Sequence, residues 1–264
     1  MELLGYSACF MNLGFIGTGK ISSSIIYGIF TSKLKIKRIY ISSRNKNIAK
    51  KLALRFKSVK ILKDNQEIIN KSSTVLLALT PSVGNKIIHK LKFSKNKKII
   101  SLISTINLKT LKKITNSKNV VRAIPLPPIE INKGPIIICP PNKNAKNLFK
   151  FLGTVIEIRN ERSSYSFWST ASVMASYYEL LNVSASWLIR KKIDKKMANK
   201  YIADLFLSLS QDANNKNIRG FKKLVAESQT PKGLNMQFLK ELKRGKFFIK
   251  FIKALENVNK RVSK

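Results

Sequence analysis

The sequence predicts an α/β chain: a doubly wound parallel sheet in its N-terminal part, followed by an all-helical C-terminal part. Three observations predict it. Between residues 12 and about 158, short runs rich in Ile and Val alternate with helix-period segments, as strands buried on both faces and their crossover helices must. After about Glu161 the strand-like runs stop and long helix-period stretches take over. A glycine turn follows the first run directly. At roughly 150 residues per domain, 264 residues suit two domains.

The expected strands are Leu13–Ile16, Arg38–Ile41, Val59–Leu62, Thr74–Leu79, Lys98–Ile103, Asn119–Arg122, Pro135–Cys139 and Val155–Ile158. Lys46–Phe56, Gln66–Asn70 and Ser82–Lys92 read as crossover helices. In the C-terminal part the expected helices are Tyr165–Lys192, Lys195–Ala213, Ile218–Gln229 and Leu234–Asn259. Val173–Leu188 and Tyr201–Leu209 are apolar on more than one face, so burial against a second subunit is expected. The boundaries read as an extension over 1–11, a nucleotide-binding domain over 12–160 and a helical domain over 161–264. Met1–Phe10 carries Glu2 and no basic stretch, so it is a poor signal peptide. It reads as a disordered extension, with Met11 an alternative start to Met1.

The first run enters Gly17-Thr18-Gly19-Lys20-Ile21-Ser22, and a helix-period segment, Ile21–Phe30, follows. This is the strand-turn-helix context in which Gly-x-Gly-x-x-small binds a dinucleotide. Gly17 permits the tight turn, Gly19 lets backbone approach the diphosphate, and Ser22 is small enough for close helix–strand packing. The helix N-terminal N–H groups then hold phosphate. Such a Rossmann-like site prefers NAD when an acid ends the second strand. Here that strand leads into Ser42-Ser43-Arg44-Asn45, which holds hydroxyls, a guanidinium and no acid. Arg44 and Ser43 suit a 2′-phosphate, so NADPH is expected over NADH.

The formal net charge of +38 raises nucleic acid, an anionic membrane surface or a small anion as partners. The 41 Lys against 10 Arg lie along the whole chain beside abundant Ile and Asn, which a bias towards A- and T-rich codons also produces. No Arg and aromatic cluster of the kind nucleic-acid readers use stands out. A non-catalytic nucleotide- or nucleic-acid-binding protein is the remaining alternative class. Cys9 and Cys139 suit neither a disulfide framework nor a metal site, which fits a reducing cytoplasm. His89, the single histidine, is expected on a helix surface, and no metal site is expected. No apolar run is long enough for a transmembrane helix.

These residues resemble the pyrroline-5-carboxylate reductase family in order along nearly the whole chain. Gly14–Ile21 looks like its opening fingerprint and Ser43-Arg44-Asn45 like its 2′-phosphate turn. Asp64-Asn65 is similar to its asparagine-bearing loop that touches the cofactor. Ala78-Leu79-Thr80-Pro81 matches its Ala-x-x-Pro turn, and Val121–Pro125 its Arg-x-Met-Pro segment. Thr230–Asn235 resembles its Ser/Thr-Pro-Gly-Gly-x-Thr signature, the most distinctive of the set. The resemblance implies a nucleotide-binding domain and a helical dimerisation domain that interlocks with a second subunit in a homodimer or larger homo-oligomer. It also implies reduction of a cyclic imine to L-proline by hydride from NAD(P)H, chemistry that asks for positioning more than for acid–base groups.

Three departures fall mostly in the substrate half. Leu126 in Pro125–Pro128 replaces an asparagine of the family's Pro-Asn-Thr-Pro. Ser172-Val173-Met174-Ala175-Ser176 stands where the family has Gly-Ser-Gly-Pro-Ala, whose glycines form a backbone nest for the substrate carboxylate. Pro231-Lys232-Gly233-Leu234-Asn235 replaces Pro-Gly-Gly-x-Thr. Asn235 can still donate or accept at the imine nitrogen and is the candidate catalytic residue. Lys232 offers a cation for the carboxylate of a small anionic substrate, or is one more solvated lysine. Ser169, Thr170, Tyr177 and Tyr178 suit a small polar substrate or ordinary helix packing. The functions left open are a diverged proline-forming reductase and a relative reducing another small imine or keto acid.

Overall fold

The computed structural model describes residues 11–216 and 220–263. Strand and helix alternate as β1 (Met11–Ile16), α1 (Lys20–Thr31), β2 (Ile36–Ser42), α2 (Lys46–Arg55), β3 (Val59–Leu62), α3 (Asn65–Lys71) and β4 (Thr74–Leu77). There follow α4 (Pro81–Ile87), β5 (Lys98–Ser101), α5 (Leu108–Thr115), β6 (Val120–Ile124), β7 (Pro135–Cys139), α6 (Lys143–Phe149) and β8 (Thr154–Glu157). Short 3-10 turns occupy Ile88–Lys90, where His89 is exposed, and Pro127–Ile131. Then come α7 (Glu161–Ala171), α8 (Met174–Arg190), α9 (Lys195–Lys216), α10 (Phe221–Glu227), α11 (Leu234–Arg244) and α12 (Phe247–Val262). The expected extension and Cys9 lie outside the described residues apart from Met11, which opens β1.

One eight-stranded sheet has the order β3-β2-β1-β4-β5-β6-β7-β8. The order reverses between β1 and β4, the switch point beside which α/β sheets bind ligands. Alternation along each strand sends side chains to opposite faces. Leu13, Phe15, Leu76 and Ile100 pack in one apolar cluster with α1, while Ile16, Val75, Leu77 and Ile99 pack in another with α3. Asn45, Asp64, Asn107 and Asn142 cap α2, α3, α5 and α6 by accepting a backbone N–H near each start. Burial pushes the Cys139 thiol up from its ordinary value, with Glu161 acting in the same direction and Arg122 against it.

Three expectations need correction. The sheet is not wholly parallel, because β7 runs antiparallel to β6 and β8 follows β7. Only residues 125–134 join β6 to β7, fewer than the roughly dozen that a parallel crossover needs. The helix expected over Tyr165–Lys192 is two, α7 and α8. The N–H groups of Ser172 and Val173 turn back to Ser169 O and Thr170 O, and the Ser172 hydroxyl also donates to Ser169 O, which tightens and ends the first helix. The stretch Leu234–Asn259 likewise divides into α11 and α12 at Gly245-Lys246, where Lys246 takes φ 55°. Ile218 of the third expected helix lies outside the described residues; α10 accounts for the part from Phe221.

The chain divides into two compact units, the break falling after Trp168 inside α7. The second unit is Ser169–Lys260. Its buried apolar residues among those described are Ala185, Ala198 and Ile202, whereas Tyr178, Trp187, Met197, Tyr201 and Phe238 are more than half exposed. None of the described helices is long and apolar enough to cross a membrane.

Candidate functional site

The glycine turn joins β1 to α1 at the switch point. Gly17 has φ +101°, a conformation that a side chain strains, and a Cβ there would lie 2.2 Å from Ala78 O. The turn is tied on every side: the Ala78 N–H donates to Ile16 O, the Gly17 N–H donates to Ser42 Oγ and the Ser22 hydroxyl donates to Gly17 O at 2.7 Å. Gly19 differs. It is the N-cap of α1 without a side-chain cap, and nothing lies within 4 Å of a Cβ built on it. The N–H groups of the first turn of α1 therefore lack a capping side chain and face a site where backbone can approach a ligand closely.

Three adjacent strands, β2, β1 and β4, end around one cleft of about 540 Å³. It is lined by Gly17, Thr18 and Gly19, by Arg44, Asn45, Lys46 and Asn47, and by Ala78, Leu79 and Thr80. The structure thus brings together three segments that the sequence had marked separately. Lys20 and Ile21 open α1, Ser43 stands between the buried Ser42 and Arg44, and Pro81 opens α4; these do not line the cleft. Asn65 opens α3 and does not line it either, while its neighbour Asp64 is spent capping that helix. Lys46 and Asn47 went unnoticed in the sequence. The clue was Asn45: as N-cap it accepts from the Ile48 N–H at 3.2 Å and so places 46 and 47 on the first turn beside Arg44.

A buried ion pair stands elsewhere in the same unit. Arg122, on β6, is 1% exposed and donates to Glu161 Oε1 at 2.7 Å and to Ser104 O, with the Tyr165 ring 5.3 Å away. Glu161 Oε1 also accepts the Leu108 N–H at 2.7 Å, so one carboxylate holds the starts of α5 and α7 to the sheet. Arg122 matched a family segment without any assigned role, and the network that it organises was not legible from spacing.

The helical unit carries the remaining candidates. Ser172 and Val173 form the turn between α7 and α8, their N–H groups spent on the preceding helix, and Met174 and Ala175 begin α8. Lys232 is exposed and held at φ 61°, while the Gly233 N–H donates to Thr230 O. A Cβ on Gly233 would fall 2.1 Å from Thr230 Oγ1, so a side chain there would have to turn the Thr230 hydroxyl aside. Asn235 lies in the first turn of α11 and donates from Nδ2 to Ser228 O at 2.9 Å, which leaves its amide oxygen as an acceptor. Among the described residues no group of three or more His, Cys, Asp or Glu is placed to hold a metal ion.

Comparison with known proteins bears on both units. A family described as NADP oxidoreductase coenzyme F420-dependent matches residues 12–107. The pyrroline-5-carboxylate reductase of Arabidopsis thaliana is 26% identical over 135 residues, 50% of this chain and 49% of that one. That of Synechocystis is 26% identical over 157 residues, 56% of this chain and 58% of that one. The match therefore spans about half the length of these relatives. In fold the likeness is wider. The 1-pyrroline-5-carboxylate reductase of Streptococcus pyogenes superposes with a TM-score of 0.83 at 21% identity, covering 96% of this chain and 98% of that one. A Plasmodium falciparum pyrroline carboxylate reductase with NADP bound gives 0.83 at 18% identity, with 96% and 97% covered. The family model falls within the strand-and-helix part of the chain, and the fold shared with these pyrroline-5-carboxylate reductases runs along almost its whole length.

Proposed function

We propose that this chain reduces 1-pyrroline-5-carboxylate to L-proline with NADPH. The observation that carries the reading is the cleft in which Arg44 and Asn45, of the acid-free turn after β2, stand beside the glycine turn. Arg44, with Lys46, would hold a 2′-phosphate by charge-assisted contacts. Gly19 and the N–H groups of Lys20 and Ile21 would hold the diphosphate, with Thr18 beside it and Ala78–Pro81 flanking the cofactor, which Asn65 would touch from outside the cleft lining. When bound, NADPH supplies the hydride. The chain's own part is to orient the imine carbon, exclude water and anchor a carboxylate. For that, Asn235 would accept a hydrogen bond from the iminium nitrogen, and Lys232 would hold the carboxylate by charge. Gly233 and the turn Ser172–Ala175 would complete the substrate side.

Purified protein should bind NADPH with a change in its fluorescence and oxidise it when given pyrroline-5-carboxylate. Arg44→Ala should raise the KM for NADPH about 10-fold or more, the worth of a charge-assisted hydrogen bond, and leave NADH nearly unchanged. Equal losses for both nucleotides would remove the 2′-phosphate assignment. Growth of a proline auxotroph offers a second check, since rescue follows only from proline formation.

One observation favours a second substrate. The N–H groups of Ser172 and Val173 are already bonded within the chain, so they are not offered as a carboxylate nest. Another small imine or keto acid, consumed with NADPH when pyrroline-5-carboxylate is not, would fit the same cofactor half. A homodimer through the helical unit also belongs to this proposal. A unit of this size that buries three apolar residues among those described has little core of its own, and a second copy would cover residues such as Met197 and Tyr201. Light scattering should return at least twice the mass of 29.9 kDa.

A further inference from the structure

The glycine turn and the Arg44 turn are joined by a closed circuit of hydrogen bonds. Ser42, the last residue of β2, accepts the Gly17 N–H on Oγ at 3.1 Å. Thr18 Oγ1 lies 2.6 Å from Ser42 O and 3.1 Å from Ser42 Oγ. A carbonyl oxygen only accepts, so the single Thr18 hydroxyl proton is committed to Ser42 O. The 3.1 Å contact must then run from the Ser42 hydroxyl to Thr18 Oγ1. The direction of each bond follows: Gly17 N–H to Ser42 Oγ, Ser42 Oγ–H to Thr18 Oγ1, and Thr18 Oγ1–H back to Ser42 O. Both side chains are buried, at 3% and 6% exposure, where such a circuit polarises itself and resists rearrangement.

The two ends of this circuit are the two places at which a dinucleotide would be gripped. Thr18 precedes Gly19 and the α1 N-terminus, and Ser42 immediately precedes Ser43-Arg44. Neither turn can shift without breaking buried hydrogen bonds to the other. From this we propose that Thr18 and Ser42 are positioning residues that couple the two turns, so that grip on a 2′-phosphate at Arg44 strengthens grip on the diphosphate at Gly19. The preference for a 2′-phosphorylated nucleotide then depends on residues beyond Arg44 itself. The inference rests on the dinucleotide reading above and deepens it.

The test uses the full chain and nucleotide binding alone, followed by fluorescence with NADPH and NADH. If the wild-type chain binds neither, the dinucleotide reading fails and this inference with it. If it binds with a preference for NADPH, Thr18→Val and Ser42→Ala should each cut the ratio of the two Kd values about 5- to 10-fold, the net worth of a buried hydrogen bond. Thr18→Ser, which keeps the hydroxyl, should restore most of the ratio. In an Arg44→Ala background Thr18→Val should leave the ratio within about twofold, since no 2′-phosphate grip remains to be coupled. A purely structural role would weaken both nucleotides alike, and an unchanged ratio in Thr18→Val overturns the proposal. Should both variants fail to fold, hydrogen exchange on the wild-type chain decides. Adenosine 2′-monophosphate, which lacks a diphosphate, should slow exchange at 17–19 as well as at 43–47, and protection confined to 43–47 refutes the coupling.

Discussion

Removing the Glu161 carboxylate should cost far more stability than removing the whole ion pair. In Glu161→Ala the Arg122 guanidinium, 1% exposed, keeps Ser104 O, the more distant Ser164 hydroxyl and the Tyr165 ring, but loses the carboxylate that pairs with it among the described residues. Arg122 Nε is already buried without a partner, so no spare acceptor stands ready. Leaving a buried charge unpaired costs about 3–5 kcal/mol. Glu161 is itself 23% exposed, so water can partly replace it and the lower end applies. The Leu108 N–H loses its acceptor too, adding about 1 kcal/mol. The expected loss is about 4 kcal/mol, against a typical total of about 5–15 kcal/mol. The double replacement Arg122→Met, Glu161→Leu removes both charges and should lose no more than about 2 kcal/mol. Urea unfolding at fixed protein concentration measures both, with m values compared to verify that the same surface unfolds. A single variant costing under about 1 kcal/mol, or a double variant costing as much as the single, would refute the argument.

Three further predictions concern the site and its support. Gly17→Ala combines a left-handed φ with a clash on Ala78 O and should cost about 2–5 kcal/mol, whereas Gly19→Ala, whose Cβ meets nothing within 4 Å, should melt like wild type yet lose NADPH affinity. Comparing melting and binding for the pair separates the glycine that shapes the turn from the one that admits the ligand. Lys232→Gly relieves a left-handed lysine, so its melting temperature should hold or rise, while the KM for a carboxylate substrate should increase about 10-fold if the ammonium binds it. Glu157 is held below its ordinary value first by its hydrogen bond from Lys146, against an opposing effect of burial that comes next in size, with the Asn142 N–H lowering it further. Its folded pKa lies below the unfolded one, so its contribution is present above the unfolded value of about 4.5 and fades as pH falls through the folded one. Glu157→Gln should therefore flatten the acid limb of stability measured between about pH 5 and 2.

Much of the nucleotide-binding part was legible because its signals are local. Period and β-branching announce buried strands, and Gly17-Thr18-Gly19 permits a tight turn directly after the first of them. The reversal of β7 was legible only in hindsight, from the shortness of 125–134 and its prolines. The breaks at Ser172-Val173 and Gly245-Lys246 escaped a reading of periodicity, since a turn that closes on its own carbonyls leaves the apolar spacing on either side intact.

The sequence by itself determined that this chain alternates strand and helix and then turns helical, that a phosphate-type turn follows the first strand, and that Arg44 stands where an acid would favour NAD. These are consequences of side-chain pattern and backbone sterics within a few residues. Only the tertiary structure decided that the ends of β1, β2 and β4 share one cleft, that Lys46 and Asn47 join it, and that Thr18 and Ser42 lock its two turns together. Strand order sets those meetings. It is fixed by how the two apolar faces of the sheet are covered, a property of residues dozens of positions apart.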